Sequence, residues 1–454
     1  MKIIGKIKKY LWHITPARII LAGFLALILI GALLLTMPLS SKSGLITNFT
    51  DSLFTSVSAV CVTGLVVVDT NTHWSLFGQI IILLMIQIGA LGVVSITTIA
   101  SIITGTKLGL VQRLTIQETL NRFTLNNIVT VFQKVILITL ALEACGALLL
   151  SIQLVPQYGW LPGIGKSIFL AVSSFCNAGF DVLGTTEAPF VSMTGFSGSW
   201  LVLMTSAALI IIGGLGFIVW DELIIVRKFS LFSLHTKAVL VVTACLLVFG
   251  TAGYFLLERD ASMASMHVGN RLLNSIFHSV SARTAGYNSV DIGQMSEAGK
   301  LLTMFLMFIG AAPGSTAGGI KVTTFFVLGL SVVAYLRGRK DLQVMGRRIP
   351  ESIISRAVSV FCLSLTIIIM ATVVLLINND GTFMQSLFES VSAFGTVGLT
   401  TGITPGLSTV GKYAMMLSMF VGRIGTMTAI AVFVTKAAQS GKTYRFPDGK
   451  ISVG

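Results

Sequence analysis

Four short segments combine residue types and spacing suited to holding a dehydrated cation. They are Val62-Thr63-Gly64, Asn177-Ala178-Gly179, Thr284-Ala285-Gly286 and Thr396-Val397-Gly398. Each follows a copy of one octapeptide pattern, Ser-(Leu/Ile)-Phe-x-(Ser/Ala)-Val-Ser-(Ala/Ser). The copies read SLFTSVSA from Ser52, SIFLAVSS from Ser167, SIFHSVSA from Ser275 and SLFESVSA from Ser386. Their starts are 115, 108 and 111 residues apart, and the glycine comes 12 residues after the start in three copies and 11 in the third. Glycine reaches positive φ without steric cost, so the chain around it can turn its carbonyls toward a shared axis. Rings of carbonyl oxygens replace an ion's hydration shell, which is how potassium filters work. One glycine per copy makes a short filter, and the four linings differ. Fewer defined ion sites and looser discrimination are expected than in a four-fold symmetric channel.

The elements that must position these segments are membrane helices. The 454 residues are 54% hydrophobic and 11% charged, with a mean hydropathy of +0.90. A soluble domain carries about 25% charged residues. Apolar windows at 18–37, 76–103, 128–152, 201–226, 237–257, 301–336, 354–377 and 413–437 are each near the roughly 20 residues a span needs. Every copy then reads as span, short helix, glycine turn, span. A helix of about ten residues cannot cross a ~30 Å core, so it must dip in and return. Irregular backbone at that depth is tolerated only under a cover of protein or water, and four such hairpins cover one another by meeting around an axis. Surface helices of a duplicated scaffold would explain the repetition but not the fixed glycine. The expected fold is an all-α integral membrane protein with eight transmembrane helices and four re-entrant pore helices. These form four tandem span–pore helix–span repeats around one central pore with pseudo-four-fold symmetry. The expected boundaries are a cytoplasmic N-terminus at 1–14, repeats at 15–105, 125–228, 233–340 and 350–438, and a cytoplasmic tail at 439–454.

Charge placement supports this reading. The net charge is +14, and 22 of the 31 Lys and Arg fall in 1–18, 105–134, 227–237, 337–356 and 436–454. That positive-inside bias puts both termini in the cytoplasm, at the plasma membrane. It also argues against a nucleic-acid partner. The runs at Lys6–Lys9 and Arg337–Lys340 serve topology and meet anionic membrane lipid. Ten acids are placed outside, where they would concentrate cations: Asp51, Asp69, Asp181, Glu187, Glu258, Asp260, Asp291, Glu297, Asp380 and Glu389. Each short helix also aims its C-terminal end, carrying about −0.5 charge, at the pore centre.

A second feature lies below the filter. Small-residue knots occur at Gly89-Ala90-Leu91-Gly92, Gly213-Gly214-Leu215-Gly216 and Gly422-Arg423-Ile424-Gly425. The third copy instead carries Gly310-Ala311-Ala312-Pro313-Gly314-Ser315-Thr316-Ala317-Gly318-Gly319. From filter glycine to knot the distances are 25, 34, 24 and 24 residues, which puts the first, third and fourth at one depth. The third run cannot hold a regular helix and must break into a loop. Lining a pore, it would act as a gate. Arg423 is an intramembrane arginine, a functional candidate by default. It is expected to bond loop carbonyls and repel cations when closed; the competing role is an ion pair with Glu143. Lys321 is either a tether for the loop or a snorkelling lysine.

Other chemistry is excluded. The five cysteines are scattered, without the spacing of a transition-metal site. The five histidines sit mostly in loops or at span ends with no partner motif, so no enzyme activity is expected. Gly163-Ile164-Gly165-Lys166-Ser167 resembles the end of a phosphate loop, but Trp160 occupies the required glycine position. No nucleotide fingerprint or other cofactor motif is present. Energy comes from the membrane potential, about 2.3 kcal/mol per charge per 100 mV.

These motifs resemble those of the potassium-uptake Ktr/Trk/HKT superfamily, from about residue 15 to 440. The chain looks most like the membrane subunit of bacterial Ktr systems. Trk subunits usually carry two extra N-terminal spans, whereas this chain starts at its first pore unit. A Trk-type subunit or the conducting subunit of an ATP-driven pump is the alternative. The resemblance implies K+ as the transported ion, Na+ as an activator, a homodimer with one pore per subunit, and a cytoplasmic nucleotide-binding regulatory ring of KtrA type. It also implies that 310–319 is an intramembrane gating loop. Gly64 stands where plant relatives can carry serine, which favours potassium over sodium.

Overall fold

In a computed structural model the described residues are 16–92, 128–339, 341–378 and 380–426, with Leu114 and Gln117. The expected cytoplasmic N-terminus and the tail at 439–454 lie outside them. Among the described residues the fold is helical apart from a small hairpin of β1 (Gln343–Val344) and β2 (Arg347–Arg348).

Each copy of the octapeptide lies on a short helix that follows a longer apolar one. The first set is α1 (Pro16–Thr36), α2 (Phe49–Val60) and α3 (Leu76–Leu91). The second is α4 (Ile128–Tyr158), α5 (Trp160–Phe175), α6 (Trp200–Gly214) and α7 (Phe217–Val226). The third is α8 (Leu234–Leu257), α9 (Val268–Ser281), α10 (Glu297–Phe308) and α11 (Val322–Leu336). The fourth is α12 (Glu351–Ile377), α13 (Phe383–Gly395) and α14 (Thr409–Ile424). The short helices α2, α5, α9 and α13 have 12, 16, 14 and 13 residues, longer than the ten expected. Local chemistry starts them: Asn48 and His267 cap α2 and α9, and Thr382 with Gln385 forms a capping box on α13. Their octapeptide faces are buried while α1, α4, α8 and α12 keep large apolar side chains exposed, as lipid-facing helices do.

Among the described residues, four helices are long and apolar enough to cross a membrane: Arg18–Thr36, Phe132–Tyr158, Leu234–Leu257 and Glu351–Ile377. The pair α6 and α7 makes a fifth candidate, bent by 95°. The protein is therefore an integral membrane protein. The sequence reading treats 76–103, 201–226 and 413–437 as unbroken spans, and this is corrected. The knot glycines Gly92, Gly216 and Gly425 adopt φ of 85°, 88° and 90°. That backbone cannot continue a right-handed helix, so α3, α6 and α14 all stop there. The remainder of the first and last of these windows lies outside the described residues.

The first and fourth sets are joined by an ion pair. Lys412 Nζ lies 2.8 Å from Asp51 Oδ1, with both side chains largely buried. Sequestered from water, this pair outweighs an exposed one. Asp51→Asn should lower stability by about 1–3 kcal/mol, read as a drop in thermal midpoint in detergent. The swap Asp51→Lys with Lys412→Asp should recover most of it; no recovery would mean the pair contributes nothing as a pair.

Candidate functional site

The four glycine segments meet. An added Cβ on Gly64 would lie 2.5 Å from the Ala178 carbonyl oxygen, and one on Gly179 would lie 2.7 Å from that of Ala285. One on Gly286 would lie 2.1 Å from the Val397 oxygen, and one on Gly398 would lie 2.2 Å from that of Thr63. The contacts run from copy one to two, two to three, three to four and four back to one, so the segments form a closed ring. Only glycine permits this backbone-to-backbone approach, and φ is positive at all four, from 69° to 97°.

The ring is regular because each copy is held in the same way. Val62, Asn177, Thr284 and Thr396, two residues before each glycine, all have positive φ. The next amide in each copy, of Thr63, Ala178, Ala285 or Val397, donates to the carbonyl of the seventh octapeptide residue at 2.8–2.9 Å. That residue is Ser58, Ser173, Ser281 or Ser392. Its hydroxyl holds the turn a second time. Ser58 and Ser392 accept the Gly64 and Gly398 amides at 3.1 Å, while Ser173 and Ser281 donate to the Phe180 and Tyr287 carbonyls. Sequence reasoning did not assign these serines a role; their recurrence at one octapeptide position was the available signal. The structure brings the four segments together, and the side chains of Val62, Thr63, Asn177, Thr284, Thr396 and Val397 are buried. The C-terminal ends of all four short helices lead into the ring.

On one side of the ring lies a cavity of about 110 Å³, lined by all four glycines together with Asp69, Asp181 and Thr400. Only these two of the ten acids expected in a cation-attracting mouth line it. Others are turned into the fold by short bonds: Glu389 accepts from Thr400, Thr401 and Thr404, Glu258 from Ser262 and Ser296, and Asp380 from Ser408. Buried carboxylates need such donors, and serine and threonine hydroxyls supply them. Asp181, in the connection between α5 and α6, has its carboxyl pushed up to about 6, chiefly by burial, against the opposing bond from the Leu183 amide. Lys166, discarded as a phosphate-loop lysine, donates to the Val182 carbonyl beside it.

On the other side of the ring, residues 309–321 cross as irregular chain. Among the candidate gate residues, Gly310 donates its amide to Ile320 at 2.8 Å, and an added Cβ on it would meet Gly318. Ala311 accepts from the Val322 amide, and Ala312 donates to Gly214 at 3.1 Å. Pro313 packs against Gly216, and Gly314 accepts from the Phe217 amide at 2.9 Å. Ser315 donates to Ala312, and Thr316 Oγ1 to Phe175. Gly318 sits against the Thr396 hydroxyl of the ring, and Gly319 donates to Gly422. Lys321 Nζ reaches the Ala317 carbonyl at 2.7 Å and ties off the loop. Arg423 donates to the carbonyls of Thr316, Gly89 (2.5 Å) and Ala90 (3.2 Å). It makes no ion pair with Glu143, which instead accepts from Gln87 at 3.3 Å.

The depth assignment of the knots is corrected. Gly89, Gly213 and Gly422 stand in one relation to their own short helices, where an added Cβ would lie 2.1, 2.0 and 1.9 Å from the carbonyl oxygens of Val60, Phe175 and Phe394. The second knot therefore shares the level of the first and fourth. Its longer spacing is taken up by the connection before Trp200, a length that residue counting mistook for depth.

Residues 14–444 match the family TrkH, cation transport protein. The chain belongs to this family. It is 42% identical to the Ktr system potassium uptake protein B of Bacillus subtilis over 97% of each chain. It is 39% identical to the potassium/sodium uptake protein NtpJ of Enterococcus hirae, over 97% of this chain and 98% of that one. The crystal structure of the potassium transporter TrkH from Vibrio parahaemolyticus superposes with a TM-score of 0.70 at 18% identity, covering 91% of this chain and 84% of that one; at that identity the likeness is one of fold.

The ring geometry predicts a contrast between two alanine substitutions. Gly398→Ala adds left-handed strain of about 1–3 kcal/mol and drives a methyl into the Thr63 carbonyl, so rubidium-86 uptake by liposomes should be abolished. Gly402 has φ of 99° with nothing near an added Cβ, so Gly402→Ala carries the strain alone and should keep most uptake. Equal loss in both would refute the ring-packing account. For Asp181 the sign follows from its raised pKa: the carboxylate is charged above about 6 and neutral below. Lowering the pH on its side from 7.5 to 5 should raise the half-saturating cation concentration roughly two- to tenfold. Asp181→Asn should show the high value at both pH values; a variant that keeps the wild-type pH response would exclude Asp181 as its source.

Proposed function

We propose that this protein is the potassium-translocating membrane subunit of a Ktr-type uptake system. The observation that carries the reading is the closed ring of glycine-bearing segments, whose neighbouring carbonyls offer oxygen ligands to an ion on the axis. The names of its relatives in Bacillus subtilis and Enterococcus hirae support potassium as the ion. Transport is passive and gated, driven by the membrane potential, with Na+ as an activating ion.

The finer architecture in this reading has each of the four sets contribute two spans and one re-entrant pore helix, giving eight spans with both termini in the cytoplasm of the cell membrane. The broken helices α3, α6 and α14 act as second spans. The subunit works as a homodimer in membrane lipid, regulated by a cytoplasmic nucleotide-binding ring. Residues 310–319 form the gate. With Arg423 bound to Thr316 from one side and to Gly89 and Ala90 from another, a cation holds the loop across the axis, and its charge opposes ion passage.

Reconstituted protein should take up rubidium-86, with potassium a better competitor than sodium; no uptake, or equal competition, would overturn the proposal. Arg423→Gln removes charge-assisted bonds of about 1.5–3 kcal/mol each, which should shift the loop toward opening and raise basal uptake by roughly tenfold or more. Unchanged flux would remove Arg423 from the gate.

A further inference from the structure

Behind the second and third ring segments lies a cavity of about 20 Å³, lined by Asn177, Ile210, Ile211, Gly214, Thr243, Leu247, Val280, Arg283 and Ala311. Two of these are polar, more than nine-tenths buried and incompletely bonded: Arg283 is 7% exposed and Asn177 is 1% exposed. The Nε–H of Arg283 and the Oδ1 of Asn177 have no protein partner. Among the described residues no carboxylate pairs with Arg283, whose Nη2 reaches only the Thr243 hydroxyl, at 3.5 Å. Asn177 spends its Nδ2 on the Thr284 hydroxyl of the next segment at 3.2 Å. One orphan is a donor and the other an acceptor, and both belong to residues that line the same cavity. A buried guanidinium N–H and a buried amide oxygen left without partners are costly. The volume exceeds the ~10–15 Å³ that one water requires and leaves no room for a larger ligand.

We propose that this cavity is a binding site for a single structural water, which accepts from Arg283 Nε and donates to Asn177 Oδ1. The bridge makes Arg283 a positioning residue for ion selectivity. Arg283 immediately precedes Thr284-Ala285-Gly286, and Asn177 begins Asn177-Ala178-Gly179, so the water sets the spacing of two adjacent ring segments from behind. Ala311 and Gly214 share its wall, which places the start of the 309–321 loop against the same brace. The first and fourth copies carry Thr63 and Val397 before their glycines and have Cys61 and Gly395 where the third has Arg283 at its shortened turn; the brace therefore compensates for the one residue missing before Gly286. This role rests on the potassium-filter reading of the ring.

Two experiments test it. A structure of the full chain at a resolution that shows solvent should contain one water within about 3 Å of both Arg283 Nε and Asn177 Oδ1. An unfilled cavity, or an anomalous signal there after bromide exchange, would overturn the proposal. The second test is a double-mutant cycle of Asn177→Leu and Arg283→Met, read as the ratio of sodium to potassium needed to halve rubidium-86 uptake. Each single variant should lower that ratio at least about threefold, and the double variant should be no worse than the worse single one. Losses that multiply would mean the two side chains act independently. If these variants do not reach a folded state, Arg283→Lys, which keeps the charge but lacks Nε, replaces them: a lowered ratio supports the bridge and an unchanged ratio overturns it. Failure of the wild type to take up rubidium would instead sink the transport reading itself.

Discussion

The structure depends on one backbone contact made four times: a glycine of one copy against the carbonyl of the residue before the next copy's glycine. That approach fixes the diameter of the ring, because no Cβ is present to hold the segments apart. It also explains why the ring is surrounded by polar groups that make no further sense in an apolar core. The turn amides lose helical partners; the carbonyl of the seventh-position serine takes up one in every copy, and its hydroxyl holds the turn again, accepting an amide in the first and fourth copies and donating to a carbonyl in the second and third. A group of four hydroxyls thus carries the irregular backbone that lipid would otherwise forbid.

The two faces of the ring follow opposite electrostatic rules. On the glycine-lined side, Asp69 and Asp181 contribute negative charge, and the short helices bring the negative ends of their dipoles from behind. On the other side Arg423 and Lys321 are both bound to carbonyls of 309–321 and its neighbours, and Arg356 lines a cavity with Lys321. Within the loop, the Thr316 carbonyl accepts from Arg423 and those of Ala317 and Gly318 accept from Lys321. In the reading proposed above, these cations hold the loop by the same type of interaction that a transported ion would make with its carbonyls.

The loop is also where four-fold regularity breaks down. In the other three copies a knot glycine rests on the carbonyl at the end of its own short helix. In the third, Gly310 rests against Gly318, within the loop. The loop is bonded instead to the second and fourth copies through Gly213, Gly214 and Gly422. Its position is therefore set by bonds to its neighbours.

Much of this was legible in the sequence. The octapeptide spacing and the glycine after it determined that four equivalent backbone turns exist, since positive φ is a local property that glycine signals directly. The composition determined that lipid surrounds the chain, and Gly-Ala-Ala-Pro-Gly determined that the third inner helix breaks. Only the tertiary structure decided which carbonyl each glycine meets, that Arg423 bonds Thr316 and Gly89 rather than Glu143, and that Glu258, Asp380 and Glu389 brace loops while Asp69 and Asp181 line the cavity. It also decided that Gly213 shares its level with Gly89 and Gly422, and that the inner helices of the first, second and fourth copies stop at Gly92, Gly216 and Gly425. The reason is the same throughout: backbone conformation is encoded within a few residues, whereas partners hundreds of residues apart are chosen by packing, which a linear spacing does not measure.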